Sequence, residues 1–356
     1  APTVGLAEAI ITGLAPDGGL YVPVEMPMLY AEALRGATQA EVGKAVLEAF
    51  RGGDSPSTDA AIEHAYRDPV QLDALRDDTH VLELYWGASA AFKDYGAQFL
   101  GEYLPACHQA VNDGGRVTVM VATSGDTGGA VAAAFWRKPE VDVFVLYPEG
   151  RVSARQEHQL CAWGDNVQAI AVRGSFDECQ ALVKGAFRDD FWTEGRFLTS
   201  ANSINVGRLL PQVVYYCWAS LQFDSAASFV IPTGNLGNAL ACVWARELGF
   251  PIDQIVLATN ANRTLIDYYE TGEYEARSSV PTLANAMDVG DPSNMERLRA
   301  IYPDHASFTE NLTVARVEDD TIREVIASGE EKWGRVFDPH TACAIHVRES
   351  LDGGPW

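Results

Sequence analysis

The chain has 356 residues, 47% of them hydrophobic, with 31 glycines and 17 prolines. That length and composition allow two or three domains around large cores and exclude a disordered chain. The formal charge of −23 at pH 7 repels nucleic acid and anionic membrane surfaces, so neither is an expected partner, and an anionic ligand must be held by local cations and backbone amides.

From Val4 to about His80 the text is mostly helical in period, as in "AEALRGATQAEVGKAVLEAF", interrupted by the turn "APDGGLYVPVEMP". The opening "APTVGLAEAIITGLAPDGGL" has no basic segment leading a hydrophobic one, and no apolar run approaches membrane-spanning length. After it comes "YWGASAAFKDYGAQFL", where the single cation, Lys93, stands among residues suited to burial. From there short β-rich runs end in small or polar loops and lead into helical stretches: "RVTVMVATSGDTGGAVAAAFW", "DVFVLYPEG", "VQAIAVRGSFDECQALVKGAF", "SFVIPTGNLGNALACVWARELG" and "QIVLATNANRTLIDYY". Strand, loop and helix in repetition predict an α/β fold, with largely parallel sheets covered by helices. The six cysteines (Cys107, Cys161, Cys179, Cys217, Cys242, Cys343) include no CxxC pair, which reads as free thiols, mostly buried, in a reducing cytoplasm. The seven histidines show no HExxH or other ligand spacing, so no metal is expected.

In folds of this class ligands bind at the carboxyl ends of strands, where loops meet helix N-termini. Three loops qualify. Thr123-Ser124-Gly125-Asp126-Thr127-Gly128-Gly129 offers hydroxyls and glycine amides to a carboxylate or phosphate, or is simply a capped helix start. Thr233-Gly234-Asn235-Leu236-Gly237-Asn238 lets the backbone approach a ligand closely and stacks successive N–H groups at a helix start, a pattern that suits phosphate. It matches neither GxGxxG nor GxxxxGK[ST], and it can also be a plain turn. In "SANSINVGRLLPQVVYY" the residues Asn202, Ser203 and Asn205 can hydrogen-bond a ligand, and Arg208 can grip a phosphate with two parallel bonds or pair with a surface acid.

Lys93 belongs to the same question. A lysine at that point can be a helix residue that exposes its tip, but a desolvated amine is a nucleophile toward aldehydes. Joined to a phosphate nest elsewhere, it points to a phosphorylated aldehyde held at both ends. Pyridoxal 5′-phosphate has that form and stabilises carbanions at amino acids.

Five ordered blocks then carry a resemblance: "AFKDYGAQF", "ATSGDTGGAVA", "ANSINVGRLLPQVVYY", "IPTGNLGNALACVWARELG" and "LATNANRT…NAMDVGDPSN…DPHTACA". From about Gly18 to about Ala344 the chain resembles the bacterial threonine synthase family, pyridoxal-phosphate enzymes of fold type II, the tryptophan-synthase-β type. The resemblance implies two α/β domains and a helical N-terminal portion, with expected bounds 1–80, 81–205 and 206–356. It implies a lyase that converts O-phospho-L-homoserine and water to L-threonine and phosphate. The neighbouring alternatives are a phospholyase of the same type or a threonine/serine dehydratase, and outside catalysis a ligand-sensing homologue. Lys93 would carry the cofactor as a Schiff base and move protons at the substrate carbons. Gly234, Asn235, Leu236, Gly237 and Asn238 would bind the cofactor phosphate, with Asp126 beside the pyridoxal O3′. Thr123, Ser124 and Thr127 would hold the substrate carboxylate or phosphate, and Asn202, Ser203 and Arg208 the substrate phosphate. The resemblance is compatible with a monomer or a homodimer and a phosphorylated amino acid as small-molecule substrate. Two departures stand out. Trp86-Gly87-Ala88-Ser89 replaces the family's "HGPT", and the text stops at "LDGGPW", where relatives continue, so a C-terminal portion carrying the partner of the pyridine nitrogen is expected to be missing.

Overall fold

Every residue of the run Val117–Ala122 is buried, the signature of a parallel strand covered on both faces. Such runs set the frame of the computed structural model, which describes residues 3–53, 55–111, 115–193 and 197–356. The strands are β1 (Gln71–Ala74), β2 (His80–Glu83), β3 (Val117–Ala122), β4 (Val141–Pro148), β5 (Val167–Val172), β6 (Phe197–Ser200), β7 (Ala227–Pro232), β8 (Ile252–Thr259) and β9 (Thr313–Arg316). The helices are α1 (Leu6–Thr12), α2 (Gln39–Arg51), α3 (Asp59–Ala65), α4 (Lys93–Val111), α5 (Asp126–Phe135), α6 (Ala154–Cys161), α7 (Phe176–Ala186), α8 (Asp190–Thr193), α9 (Val206–Ser220), α10 (Gly237–Glu247), α11 (Thr264–Thr271), α12 (Met295–Ile301), α13 (His305–Asn311), α14 (Asp319–Trp333) and α15 (Pro339–Arg348). Among the described residues no helix is long and apolar enough to cross a membrane.

The chain forms two units that are discontinuous in sequence, where the sequence reading drew three continuous segments. The first comprises Ala1–Pro27, Thr38–Val70 and Leu84–Val214. Its sheet runs β5-β4-β3-β6, parallel throughout. Helix α7 covers one part of this sheet, with Cys179, Val183 and Ala186 against Met120, Leu146 and Leu198. Helices α1 and α3 pack along α4, so the N-terminal helices share this unit's interior. Gly101 in α4 brings that helix so near α5 that a Cβ would sit 2.6 Å from the Ala134 carbonyl oxygen. Helix α2 starts at a capping box, with Thr38 and Glu41 each bonded to the other's backbone, which satisfies two orphan amides. Its buried residues Val42, Val46 and Leu47 follow the helical period that the sequence shows.

The second unit comprises Met28–Ala37, Gln71–Glu83 and Tyr215–Trp356. Its sheet β7-β8-β9 is parallel, and β1 and β2 form a separate antiparallel pair. Helices α14 and α15 and the final Trp356 enclose a core of Ile322, Val325, Phe337, Cys343 and Ile345 over the β8 residues Val256 and Ala258. Strand β1 lies in a stretch that reads as helical: "QLDA" has no alternating pattern and its burial is slight, so pairing with β2 rather than its own composition makes it a strand. All six cysteines are free thiols, five of them buried and Cys161 exposed.

Candidate active site

Helix α4 begins at Lys93 itself. The side chain is 16% exposed, and its Nζ lies 3.4 Å from Asp126 Oδ2, at the first residue of α5. The other carboxylate oxygen of Asp126 accepts a 2.8 Å bond from Gln156 Nε2 in α6. The same glutamine amide rests on Gly125, whose φ of +144° and whose Cβ position, 2.3 Å from Gln156 Nε2, leave no alternative to glycine. Lys93, Asp126 and Gln156 thus form a chain in which one carboxylate receives two donors.

The residues in front of Lys93 are shaped by its neighbour Asp94, which is 2% exposed. Asp94 Oδ2 accepts the Ser89 amide at 2.9 Å, and a Cβ at Gly87 would fall 2.5 Å from the same oxygen. Ala90 closes the turn at a φ of +55°. The "WGAS" segment is therefore folded back onto the carboxylate that follows the lysine, with Trp86 47% exposed and Ser89 buried. Burial pushes the Asp94 carboxyl above its usual range, against the pull of the Ser89 bond and of the Arg208 charge.

Arg208 is also 2% exposed. Its Nη1 donates to the Ala201 carbonyl at 2.6 Å and its Nη2 to the Lys93 carbonyl at 3.3 Å. Its Nε lies 3.0 Å from where a Gly96 Cβ would be, and finds no hydrogen-bond partner among the described residues. Burial pulls the guanidinium down to about 10, with the Asp94 charge opposing. A phosphate is the expected partner of this fork from sequence; here two of its nitrogens hold the main-chain carbonyls of Ala201 and Lys93. Asn202 is likewise engaged, its Nδ2 donating to the Ala122 carbonyl at the end of β3 and its Oδ1 accepting from Ser200. Ser203 beside it is half-buried.

In the "TSGDTGG" loop the hydroxyls divide. Thr123 is buried, and its Oγ1 accepts from the amides of Gly125 (3.0 Å) and Gly128 (2.9 Å) while donating to the Gly125 carbonyl. It caps the loop from within. Ser124 is exposed and Thr127 half-buried, so these two hydroxyls reach the surface of the loop.

The second unit presents another kind of site. Gly234 is pressed against backbone, since a Cβ would lie 2.7 Å from Met287 Cα. Leu236 adopts a left-handed φ of +62° and serves as the N-cap of α10 without any side-chain cap. The amides of Gly237 and the residues after it are therefore left to a ligand or solvent. Asn235 has its side chain turned inward, with Oδ1 accepting from the Ser293 amide (2.7 Å) and hydroxyl (3.0 Å). Asn238 Oδ1 accepts from both Tyr215 and Tyr216, which leaves its NH₂ as the donor end of the amide. Glycine where a Cβ has no room, and uncapped amides at a helix start, fit a phosphate. A shielded lysine beside a carboxylate fits an aldehyde. An aldehyde and a phosphate are the two functional groups of pyridoxal phosphate. Features not marked by the sequence are Asp94, which sits beside Lys93 in the chain and is bonded to nearby Ser89, and Gln156 and Ser293, which tertiary folding brings in.

These features define a class. The family model described as "Pyridoxal-phosphate dependent enzyme" matches residues 82–354, and "Threonine synthase N terminus" matches residues 1–66. A threonine synthase of Haemophilus influenzae is 36% identical over 97% of this chain and 81% of its own length. The crystal structure of threonine synthase from Escherichia coli superposes with a TM-score of 0.91 at 34% identity, covering 98% of this chain and 83% of that one. A PLP-bound threonine synthase structure from Brucella melitensis gives 0.90 at 37% identity, over 100% and 84%. The chain belongs to the threonine synthase family of pyridoxal-phosphate-dependent enzymes.

Proposed function

We propose that the protein is a threonine synthase that releases phosphate from O-phospho-L-homoserine and adds water to give L-threonine. The observation that carries this reading is the match, over nearly the whole chain, to threonine synthases at 34–37% identity, joined to a lysine shielded at the head of α4. Pyridoxal phosphate, when bound, supplies the electron sink for a carbanion at an amino-acid Cα.

The chain's own residues do the rest. Lys93 would be the residue that holds the cofactor aldehyde, and its amine is the group placed to move protons at the substrate carbons. Asp126, fixed by Gln156, keeps the amine aimed at one place. The amides from Gly234 to Asn238 would hold the cofactor phosphate. Ser124 and Thr127 offer hydroxyls to the substrate carboxylate or phosphate, with Thr123 shaping their loop and Ser203 adding a further hydroxyl. Arg208 and Asn202 are the remaining phosphate candidates; in the geometry seen here they contribute chiefly by holding the chain around Lys93 and the end of β3. The reading includes a cytoplasmic enzyme, monomeric or homodimeric, with no nucleic-acid partner, which the −23 charge and the free thiols support.

The test is incubation of the purified protein, loaded with pyridoxal phosphate, with O-phosphohomoserine. Phosphate and threonine should appear in equal amounts. Phosphate accompanied by 2-oxobutyrate alone would reject the synthase in favour of a phospholyase, and deamination of threonine or serine without phosphate release would indicate a dehydratase.

A further inference from the structure

The stretch "NAMDVGDPSN" carries part of the family resemblance without a role for any of its residues. In the second unit it lies against the Gly234 loop in two places. At one end, Met287 is the backbone that Gly234 abuts, and the following Asp288 is anchored by Asn260, Asn262 and Thr282. At the other end Ser293 and Asn294 grip Asn235. Asn294 is 0% exposed; its Nδ2 donates to the Asn235 carbonyl at 3.0 Å, and its Oδ1 accepts from Arg297 Nη1 at 2.9 Å. Arg297, on α12, is 0% exposed as well.

We propose that Asn294 and Arg297 are positioning residues for the phosphate cradle: Arg297 orients the Asn294 amide, and Asn294 fixes the Asn235–Leu236 peptide so that the loop presents its amides to an anion. This rests on reading the loop as the cofactor-phosphate site. In a trans peptide the C=O and the N–H point in opposite directions, so tying the Asn235 carbonyl to Asn294 aims the Leu236 amide away from that segment. Two bonds from Ser293 to Asn235 Oδ1 prevent the residue from rotating as a whole. An asparagine amide can present either its oxygen or its nitrogen to a neighbour. Arg297 is a donor only, and therefore selects the orientation in which the nitrogen faces the loop. Burial pulls the Arg297 guanidinium down to about 9, which leaves it charged at neutral pH, a buried cation on the covered side of an anion site in a strongly acidic protein.

The experiment compares pyridoxal phosphate with pyridoxal, which has the aldehyde but no phosphate, as ligands of the full chain stripped of cofactor. Dissociation constants are measured for the unsubstituted protein and for Asn294→Ala and Arg297→Met, alongside the unfolding midpoint of each cofactor-free form. The expected result is about tenfold or more weaker binding of pyridoxal phosphate in both variants, the scale of one lost buried hydrogen bond, with pyridoxal binding changed less than twofold. Should Asn294→Ala fail to fold, Asn294→Asp keeps the volume and the acceptor for Arg297 while losing the donor to Asn235, and the same ratio is read there. Equal weakening toward both ligands, or none toward either, overturns the proposal. An unsubstituted protein that binds the two equally well would instead overturn the assignment of the loop as a phosphate cradle, and the proposal with it.

Discussion

In the unit that holds Lys93, the polar groups gathered at the strand ends include side chains bonded to one another, lysine to aspartate and aspartate to glutamine, with an arginine on the lysine's own carbonyl. In the unit that holds Gly234, the side-chain oxygens of Asn235 and Asn238 are bonded inward, and what is left for a ligand is chiefly main chain. The difference suits the two tasks proposed for these residues. A reacting centre needs groups that change protonation and swing between partners, which only side chains do. A phosphate that never reacts needs donors that do not move, and amides at a helix start are immobile and already polarised.

The contrast is broken most severely at the lysine. Lys93→Ala should lower phosphate release from O-phosphohomoserine by about 10³-fold or more, the range for a lost acid–base group, while the apo protein keeps its fold by circular dichroism. A smaller loss would mean that the side-chain site lies elsewhere. Gly234→Ala places a Cβ 2.7 Å from Met287 Cα; overpacking of this kind costs about 1–3 kcal/mol, so affinity for pyridoxal phosphate should fall about tenfold or more in an equilibrium titration. If Gly234→Ala binds as tightly as glycine, the main-chain account of the cradle fails.

Thr123→Val sharpens the comparison, because it asks whether that hydroxyl is structural. It removes the acceptor of two buried amides, and urea unfolding should show a loss of about 1–3 kcal/mol, with KM for substrate little changed. The smallest effect concerns Asp94. Burial raises its pKa above the ordinary 3.8, so the folded chain keeps this proton to higher pH than the unfolded chain, and the ionised group weighs against folding as pH rises from about 4. The stability gap between Asp94→Asn and the unsubstituted protein should therefore shift in favour of the asparagine between pH 4 and pH 7. Arg208, whose guanidinium stays charged throughout, attracts the ionised form and so opposes this trend, but burial is the larger effect. A gap that is flat with pH would show that Asp94 is not held in a desolvated place.

Much of this was legible beforehand. The strands β3, β4, β7 and β8 announce themselves as apolar runs ended by small or polar loops, because a sheet covered on both faces demands that composition. Lys93 and the Gly234 loop are visible for a related reason: a cation among apolar residues and a double glycine after a strand are both locally costly. The supporting residues were not legible. Gln156 reaches Asp126 across 30 positions of sequence, and Ser293 reaches Asn235 across 58; nothing in either local pattern marks a side chain for a partner that distant. Arg208 shows the converse limit. The sequence supplies a guanidinium near the site, but where a long side chain ends depends on the carbonyls around it, here those of Ala201 and Lys93.

A recognition surface made from peptide amides has a consequence for how such a protein can change over generations. Any residue supplies an N–H, so what such a loop must keep is its backbone shape, and at Gly234 the first added carbon is excluded. Searches keyed to residue letters will accordingly lose track of this loop in remote relatives, and a comparison of backbone shape, or of where a β-carbon has no room, will keep finding it.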